Sequence, residues 1–279
     1  DEFLGPGVLV ERGFQSFGYP FHVQFIGRVK NDVLGELFIK DIRSVGAYFN
    51  TEPIATGPST ARCLIFITPD AQRTMCTYLG ASVQIDPDTI DLSIVEKTKV
   101  LYLEGYLWDD PRAKSAFITA ANKCKKHGGE VALSLSDSFC VERHRESFQE
   151  LVTNYIDILF GNEEEILSLF QSNKMEIALE KARKSCKLAA ITLGGNGSIV
   201  LSGERTIKIS PYRLGKTVDT TGAGDLYAGG FLYGYTNGKT LEECGNIGSL
   251  CAGKIVTQIG SRAKEPLKSL IEMNINNFN

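Results

Sequence analysis

From Lys99 onward the chain alternates between short apolar runs and longer stretches whose apolar positions recur every three or four residues. KVLYLEGY, EVALSLSDSF, IDILFGN and KLAAITLGG have strand length, while PRAKSAFITAANKCKKHGG, ERHRESFQELVTNY and EEEILSLF carry the spacing of amphipathic helices. This repetition predicts an α/β fold, a mostly parallel doubly wound sheet with helices on both faces. Such sheets hold ligands at the carboxyl ends of their strands. Pro111 suits the first position of a helix, and Gly128-Gly129, after a lysine-rich turn, suits a helix stop.

Phe21 to Leu79 has a different pattern. FHVQFIG, ARCLIFITPD and QRTMCTYLG are short, rich in β-branched and aromatic residues, and separated by Gly, Pro, Asp or Asn. They predict antiparallel strands, a small β lid able to cover the ligand face of the sheet. The expected organisation is therefore an unassigned segment over residues 1–20, a region over 21–80 that includes the lid, and an α/β core over 81–279. The closing NINNFN reads as a frayed tail.

Composition narrows the function. A net charge of -3 with 23% charged residues and a pI near 5.8 gives no basic field suited to nucleic acid or an anionic membrane. No apolar run reaches the ~18 residues of a membrane span. The seven cysteines are scattered without a Cys-x-x-Cys pair, which predicts reduced thiols in a cytoplasmic protein rather than a disulfide framework or zinc ribbon. His22, His127 and His144 are too dispersed for a metal site or a catalytic triad, and His144 is expected on a solvated helix face.

The most specific chemistry lies in TVDTTGAGDLYAGGF. Thr217 and Val218 suit a strand, Thr220 and Thr221 suit caps of a helix running from about Gly222 to Tyr235, and Asn237-Gly238 suits its end. The backbone N–H groups of Gly222, Ala223 and Gly224 would then form an anion hole at the positive end of the helix, with the Asp225 carboxylate in the same turn. Donors for negative charge beside a base are equipment for phosphoryl transfer. The plainer alternative is that Asp225 only stabilises the helix N-terminus.

This stretch resembles the second signature of the PfkB family of carbohydrate and nucleoside kinases, and other segments stand in the family's order. FIGRVKNDVLGELF resembles its Gly-x-x-x-x-Asp-x-x-Gly region through Gly27, Asp32 and Gly35; YIDILFGNEEE resembles its Asn-x-x-Glu motif; ITLGGNGS resembles its nucleotide segment; GSLCAGKIVTQIGS resembles its closing helix. The resemblance implies a ribokinase-like core that binds ATP and Mg²⁺, with Asp225 as general base and Gly222, Ala223 and Gly224 as anion hole. Asn162, Thr192, Gly194 and Gly197 would lie along the nucleotide, and Glu165 would organise Mg²⁺ through water. Asp219 and Thr221, with the carbonyls near Ile255 and Gly260, match positions that hold K⁺ in several relatives. Each has a structural alternative: Glu165 as one more acid in a first turn capped by Asn162, Gly194 to Gly197 as a hairpin turn, and Asp219 as an acceptor of backbone hydrogen bonds.

The family's opening strand, with an acid for the substrate's hydroxyls, and its Gly-Gly segment ending in Asn have no counterpart in DEFLGPGVLVERGFQSFGYP. QSFGYPFHVQFIGRV resembles the family segment that comes directly after those elements, so residues are expected to be missing there, or half of a substrate site is truly lacking. Within the family, LSLSDSF followed by YIDILFGNE is most similar to adenosine kinases and puts Phe139 where those enzymes stack an aromatic on adenine; a core phenylalanine at a strand end is the alternative. A kinase for adenosine or a related nucleoside is the leading expectation. A sugar kinase of the same family, or a nucleoside-binding relative without turnover, are the others.

Overall fold

The computed structural model describes residues 23–274. Residues 1–22 and 275–279, and with them the unassigned opening segment and the expected frayed tail, lie outside the described residues. The chain divides into two compact units, one holding the described residues up to Ile85 together with those from Pro211 on, the other Asp86–Ser210.

The second unit is a six-stranded sheet in chain order: β3 (Val100–Glu104), β4 (Glu130–Ser134), β5 (Ile158–Asn162), β6 (Leu188–Thr192), β7 (Ser198–Ser202) and β8 (Arg205–Ile209). The first four are parallel and the last two antiparallel, so the sheet is mostly parallel as the alternation predicts. Val131, Ala132 and Leu133 on β4 and Ile158 and Leu159 on β5 are fully buried, which explains why these strands read as continuous apolar runs rather than alternating ones. The crossovers are α2 (Pro111–Lys126), α3 (Ser138–Arg143) with α4 (Arg145–Tyr155), and α5 (Glu163–Leu169) with α6 (Met175–Ser185). Asp110 caps α2 by accepting from Arg112 N–H, with Pro111 first in the helix; Gly128, at φ 85°, closes it. His144 does not lie on a solvated helix face. It joins α3 to α4 and holds the Asp109 carboxylate through Nε2 at 2.5 Å.

The first unit departs further from expectation. The strands β1 (Arg62–Ile67) and β2 (Arg73–Tyr78) pair antiparallel, from Arg62 opposite Tyr78 to Ile67 opposite Arg73. The described part of FHVQFIG, residues 23–27, does not join them: Gln24, and Lys30 just beyond, make isolated parallel bridges to Tyr48 and Ile54. Between these lies a helix, α1 (Val33–Ser44), capped by Asp32 accepting from Gly35 N–H. The rings of Phe25, Phe38 and Phe49, with centroids 5.6 to 5.8 Å apart, explain why aromatic residues there mark a helix-backed cluster and not a sheet.

The same unit contains α7 (Ala223–Thr236), α8 (Leu241–Ile255) and α9 (Leu267–Asn274). Every residue of α7 from Leu226 to Gly234 is buried. The α7–α8 contact is lined by small residues: a Cβ at Gly230 would stand 2.9 Å from Cys251 Sγ, and one at Gly248 would stand 2.7 Å from the Tyr227 carbonyl oxygen. Two helices this close cannot separate to admit a methyl group without losing contacts along their length. Gly248→Ala is therefore expected to destabilise the protein by about 1–3 kcal/mol, read as a lower Tm or urea midpoint; an unchanged midpoint would show that the helices are free to shift.

Candidate active site

In the first unit, the segment before α7 is not a strand. Val218 and Asp219 N–H both reach the Val256 carbonyl, at 2.8 and 3.4 Å, and form no ladder. Nor do Thr220 and Thr221 cap the helix. Gly222 is the N-cap, at φ 79° and ψ 2°, a left-handed conformation, and a Cβ there would lie 2.8 Å from Ser261 Cβ. Glycine therefore lets the chain turn sharply while packed on Ser261. Ala223 N–H turns back to the Thr220 carbonyl at 3.3 Å, and the N-cap makes no side-chain hydrogen bond to the first turn. Gly224 is exposed with nothing within 4 Å of where its Cβ would be, and Asp225 is the acid of that turn. A helix N-terminus with an open, glycine-lined first turn suits an anion approaching the backbone closely.

Asp219 lies directly behind this turn, buried to 1% exposure. Its carboxylate accepts from Thr221 N–H at 2.8 Å and from Gly260 N–H at 2.9 Å. Burial opposes its charge, but the Thr221 hydroxyl, the Thr221 and Gly260 N–H groups and the Arg73 guanidinium hold its pKa below the ordinary value. Thr221 is buried beside Asp219, and the Ile255 carbonyl accepts from Gln258 N–H at 3.2 Å. Arg73 of β2 donates to Thr220 Oγ1 at 2.7 Å, a contact across 147 residues that no local pattern announces.

In the second unit, the parallel register brings the polar ends of the strands to one edge: Glu104 opposite Ser134, and Asn162 opposite Thr192. Asn162 and Glu165 form a reciprocal capping box. Asn162 Oδ1 accepts from Glu165 N–H at 2.9 Å, while the Glu165 carboxylate accepts from Asn162 N–H at 2.9 Å and from Asn162 Nδ2 at 2.8 Å. The cap role is thus present, and a carboxylate retains acceptor capacity beyond two hydrogen bonds. Burial pushes the Glu165 carboxyl up to about 7, with Asp137 and Glu164 adding to the shift. After Thr192 the chain makes the hairpin between β6 and β7, where Leu193 N–H donates to the Gly197 carbonyl at 2.8 Å and Gly197 sits at φ 89°. Gly194 is exposed at its tip.

Phe139 is not a core residue. It lies in the first turn of α3, just past the end of β4, with 69% of its surface exposed, because the Asp137 cap directs the chain into a helix there. Ser136, in a left-handed conformation at φ 68°, donates to Glu104 Oε2 at 3.0 Å and accepts from Gly105 N–H, so Glu104 joins the same polar edge. An acid ending the apolar run of LYLEG was the available signal for it.

Among the described residues, no group of three or more His, Cys, Asp or Glu is arranged to hold a metal ion, and no helix is long and apolar enough to cross a membrane. All seven cysteines are free.

A ribokinase-like α/β fold bearing a glycine-lined helix start and a first-turn aspartate defines a phosphotransferase class. Residues 5–268 match the family described as pfkB family carbohydrate kinase, and the chain belongs to that family, whose members transfer phosphoryl groups to hydroxyls. It is similar to the crystal structure of adenosine kinase from Sinorhizobium meliloti, with 45% identity, a TM-score of 0.94, and coverage of 97% of this chain and 82% of that one. It is similar too to a probable sugar kinase from Rhizobium etli CFN 42, with 42% identity, a TM-score of 0.94, and coverage of 99% and 83%. Adenosine kinase of Schizosaccharomyces pombe is 26% identical over 89% of this chain and 78% of its own length.

The raised Glu165 pKa has a stability consequence. The folded protein holds this proton more tightly than the unfolded chain, so its contribution is complete below the ordinary carboxyl pKa of 4.5 and is lost as pH rises through about 7. Between pH 5 and 8, without Mg²⁺ or nucleotide, the protein is expected to lose on the order of 3 kcal/mol relative to Glu165→Gln, at ~1.4 kcal/mol per pKa unit. Urea unfolding at both pH values measures this, and parallel pH slopes for the two proteins would contradict it.

Proposed function

We propose that this protein is an ATP-dependent kinase that transfers the γ-phosphate to the 5′-hydroxyl of adenosine, or of a closely related nucleoside, giving AMP. The observation that carries the reading is the first turn of α7, where Gly222, Ala223 and Gly224 begin a helix and Asp225 sits in the same turn. Backbone donors there neutralise charge growing on the transferred group, while the Asp225 carboxylate takes the proton of the hydroxyl as it attacks phosphorus and the bond to ADP breaks. Asn162, Thr192, Gly194 and Gly197, all at or just past strand ends, hold the nucleotide.

The donor set suits Mg²⁺ held mainly through water and substrate phosphates, with the Glu165 carboxylate orienting that shell, since Mg²⁺ keeps most of its waters. When bound, the ion offsets the phosphate charge. A monovalent cation such as K⁺ would find oxygen ligands in Asp219 and Thr221 with the Ile255 and Gly260 carbonyls, because the Asp219 carboxylate is buried yet held in its charged form. Such a kinase works in the cytoplasm, where ATP is supplied.

Adenosine is favoured over a sugar by Phe139. An aromatic exposed to this degree past the carboxyl end of a parallel strand has little packing duty, which supports a role in stacking on a base. The similarity to a probable sugar kinase keeps a carbohydrate acceptor as the second reading.

Two substitutions at the helix start separate chemistry from stability. Asp225→Asn is expected to keep the fold and ATP binding while turnover drops by ~10²–10⁴. Gly224→Ala adds a methyl into open space on a helix, so the Tm should hold or rise, since alanine is favoured over glycine by up to ~1 kcal/mol there; activity should nevertheless fall. Parental turnover in both variants would remove this turn from the mechanism.

The acceptor is tested with adenosine, guanosine, inosine, ribose and fructose, using ATP and Mg²⁺. Adenosine should lead, and Phe139→Ala should lower its kcat/KM by roughly ten- to a hundredfold, from a stacking term of about 1–3 kcal/mol, with little effect on Tm. A sugar leading the panel, or a variant with the parent's preferences, would exclude adenosine and leave the carbohydrate reading.

A further inference from the structure

The loop Thr257 to Lys264 comes after α8, and two of its members touch the machinery already described. Gly260 N–H donates to Asp219 Oδ2 at 2.9 Å, and Ser261, buried to 6% exposure, occupies the space against which Gly222 must lack a side chain. The position of this loop therefore fixes both the residue behind the anion hole and the N-cap that opens it. The adjoining residue, Arg262, makes a bidentate ion pair with Asp41 of α1, Nη1 to Oδ1 at 3.2 Å and Nη2 to Oδ2 at 2.7 Å. The Gln258 side chain closes the loop on itself, donating to the Arg262 carbonyl at 2.5 Å and accepting from Lys264 N–H at 3.4 Å.

We propose that Asp41 and Arg262 are positioning residues for the anion hole: the ion pair holds the 258–262 loop in the one place from which Gly260 and Ser261 set Asp219 and Gly222. A bidentate pair is well suited to this, because two parallel charge-assisted hydrogen bonds fix orientation as well as distance. Neither residue lies in the motifs that carry the family resemblance, and 221 positions separate them. Donors aimed at a developing charge lose their effect when displaced by even ~1 Å, for which losses near 10²-fold are typical. Breaking the pair therefore lowers turnover without removing any group that touches substrate.

The kinetic part of this inference rests on the kinase reading above, so the test includes a readout independent of turnover. Asp41→Asn, Arg262→Lys and the reversed pair Asp41→Arg with Arg262→Asp are compared with the parent as full chains. The first measurement is amide hydrogen exchange across residues 217–226; the second is kcat and KM for ATP and for the best acceptor. Asp41→Asn should speed exchange in 217–226 by about tenfold and lower kcat by ~10–100-fold, with both KM values within about threefold of the parent. Arg262→Lys, which keeps the charge but loses the fork, should fall between, and it serves if Asp41→Asn does not fold. The reversed pair should recover most of both losses. Parental exchange in 217–226 in a folded variant, or a fall in Tm alone with kcat and exchange unchanged, overturns the proposal. Absence of turnover in the parent on every acceptor counts against the kinase reading only, and the exchange comparison still decides the positioning role.

Discussion

The packing of α7 against α8 is the constraint on which the rest of the first unit depends. A helix buried from Leu226 to Gly234 is packed along most of its length, and the glycines at 230 and 248 remove the side chains that would otherwise hold the two backbones apart. At the start of α7 the chain opens to solvent, at Gly224. Its donors are preorganised by the interior behind them rather than by contacts of their own. That arrangement suits electrostatic catalysis, where dipoles must already point at the developing charge and must not reorganise as it forms.

The surroundings of that turn obey the same requirement. Gly222 can adopt a left-handed conformation against Ser261 only because it lacks a Cβ, and Asp219 can be buried as a carboxylate only because Thr221 and Gly260 N–H groups satisfy it. Each device substitutes a fixed backbone dipole for a mobile side chain. In the second unit, Glu165 shows the opposite economy. Its carboxylate completes the start of α5, at the cost of burial that pushes its proton affinity toward neutrality. A cation nearby would offset this, because an opposite charge restores the ionised form that desolvation disfavours.

Much of this was legible along the chain, and the reasons for the rest are physical. The strands ending at Asn162 and Thr192 announced themselves because strands buried on both faces must be apolar throughout. The start of α2 was visible in Pro111. By contrast, α1 was hidden by its aromatic neighbours, although Asp32 followed by apolar Leu34, Phe38 and Ile42 carries both a cap and a helical period. Thr217 and Val218 look like a strand by propensity, yet among the described residues no partner strand reaches them, and ladder formation depends on partners rather than preference. The two threonines before Gly222 are good caps in isolation; the tight approach of Ser261 selects a left-handed glycine instead. Contacts such as Arg73 with Thr220 and Asp41 with Arg262 leave no local trace, since side-chain contacts between distant segments impose no period on either.

The Asp225 turn and Phe139 lie in different physical settings. Two solved relatives of nearly equal likeness, at 45% and 42% identity and both at a TM-score of 0.94, are described by different acceptors. A backbone shared this closely does not by itself define an acceptor, so any difference between such proteins must rest on side chains. The turn that carries Asp225 is backed by the helix buried from Leu226 to Gly234, which fixes where its backbone lies. Phe139 is under no such restraint: it stands exposed on a short helix whose cap, Asp137, needs only backbone N–H groups. Substitution there changes what a ligand meets and leaves packing intact. A fold built in this way can keep a buried helix start while its exposed side chains change, because the two obey different physical limits.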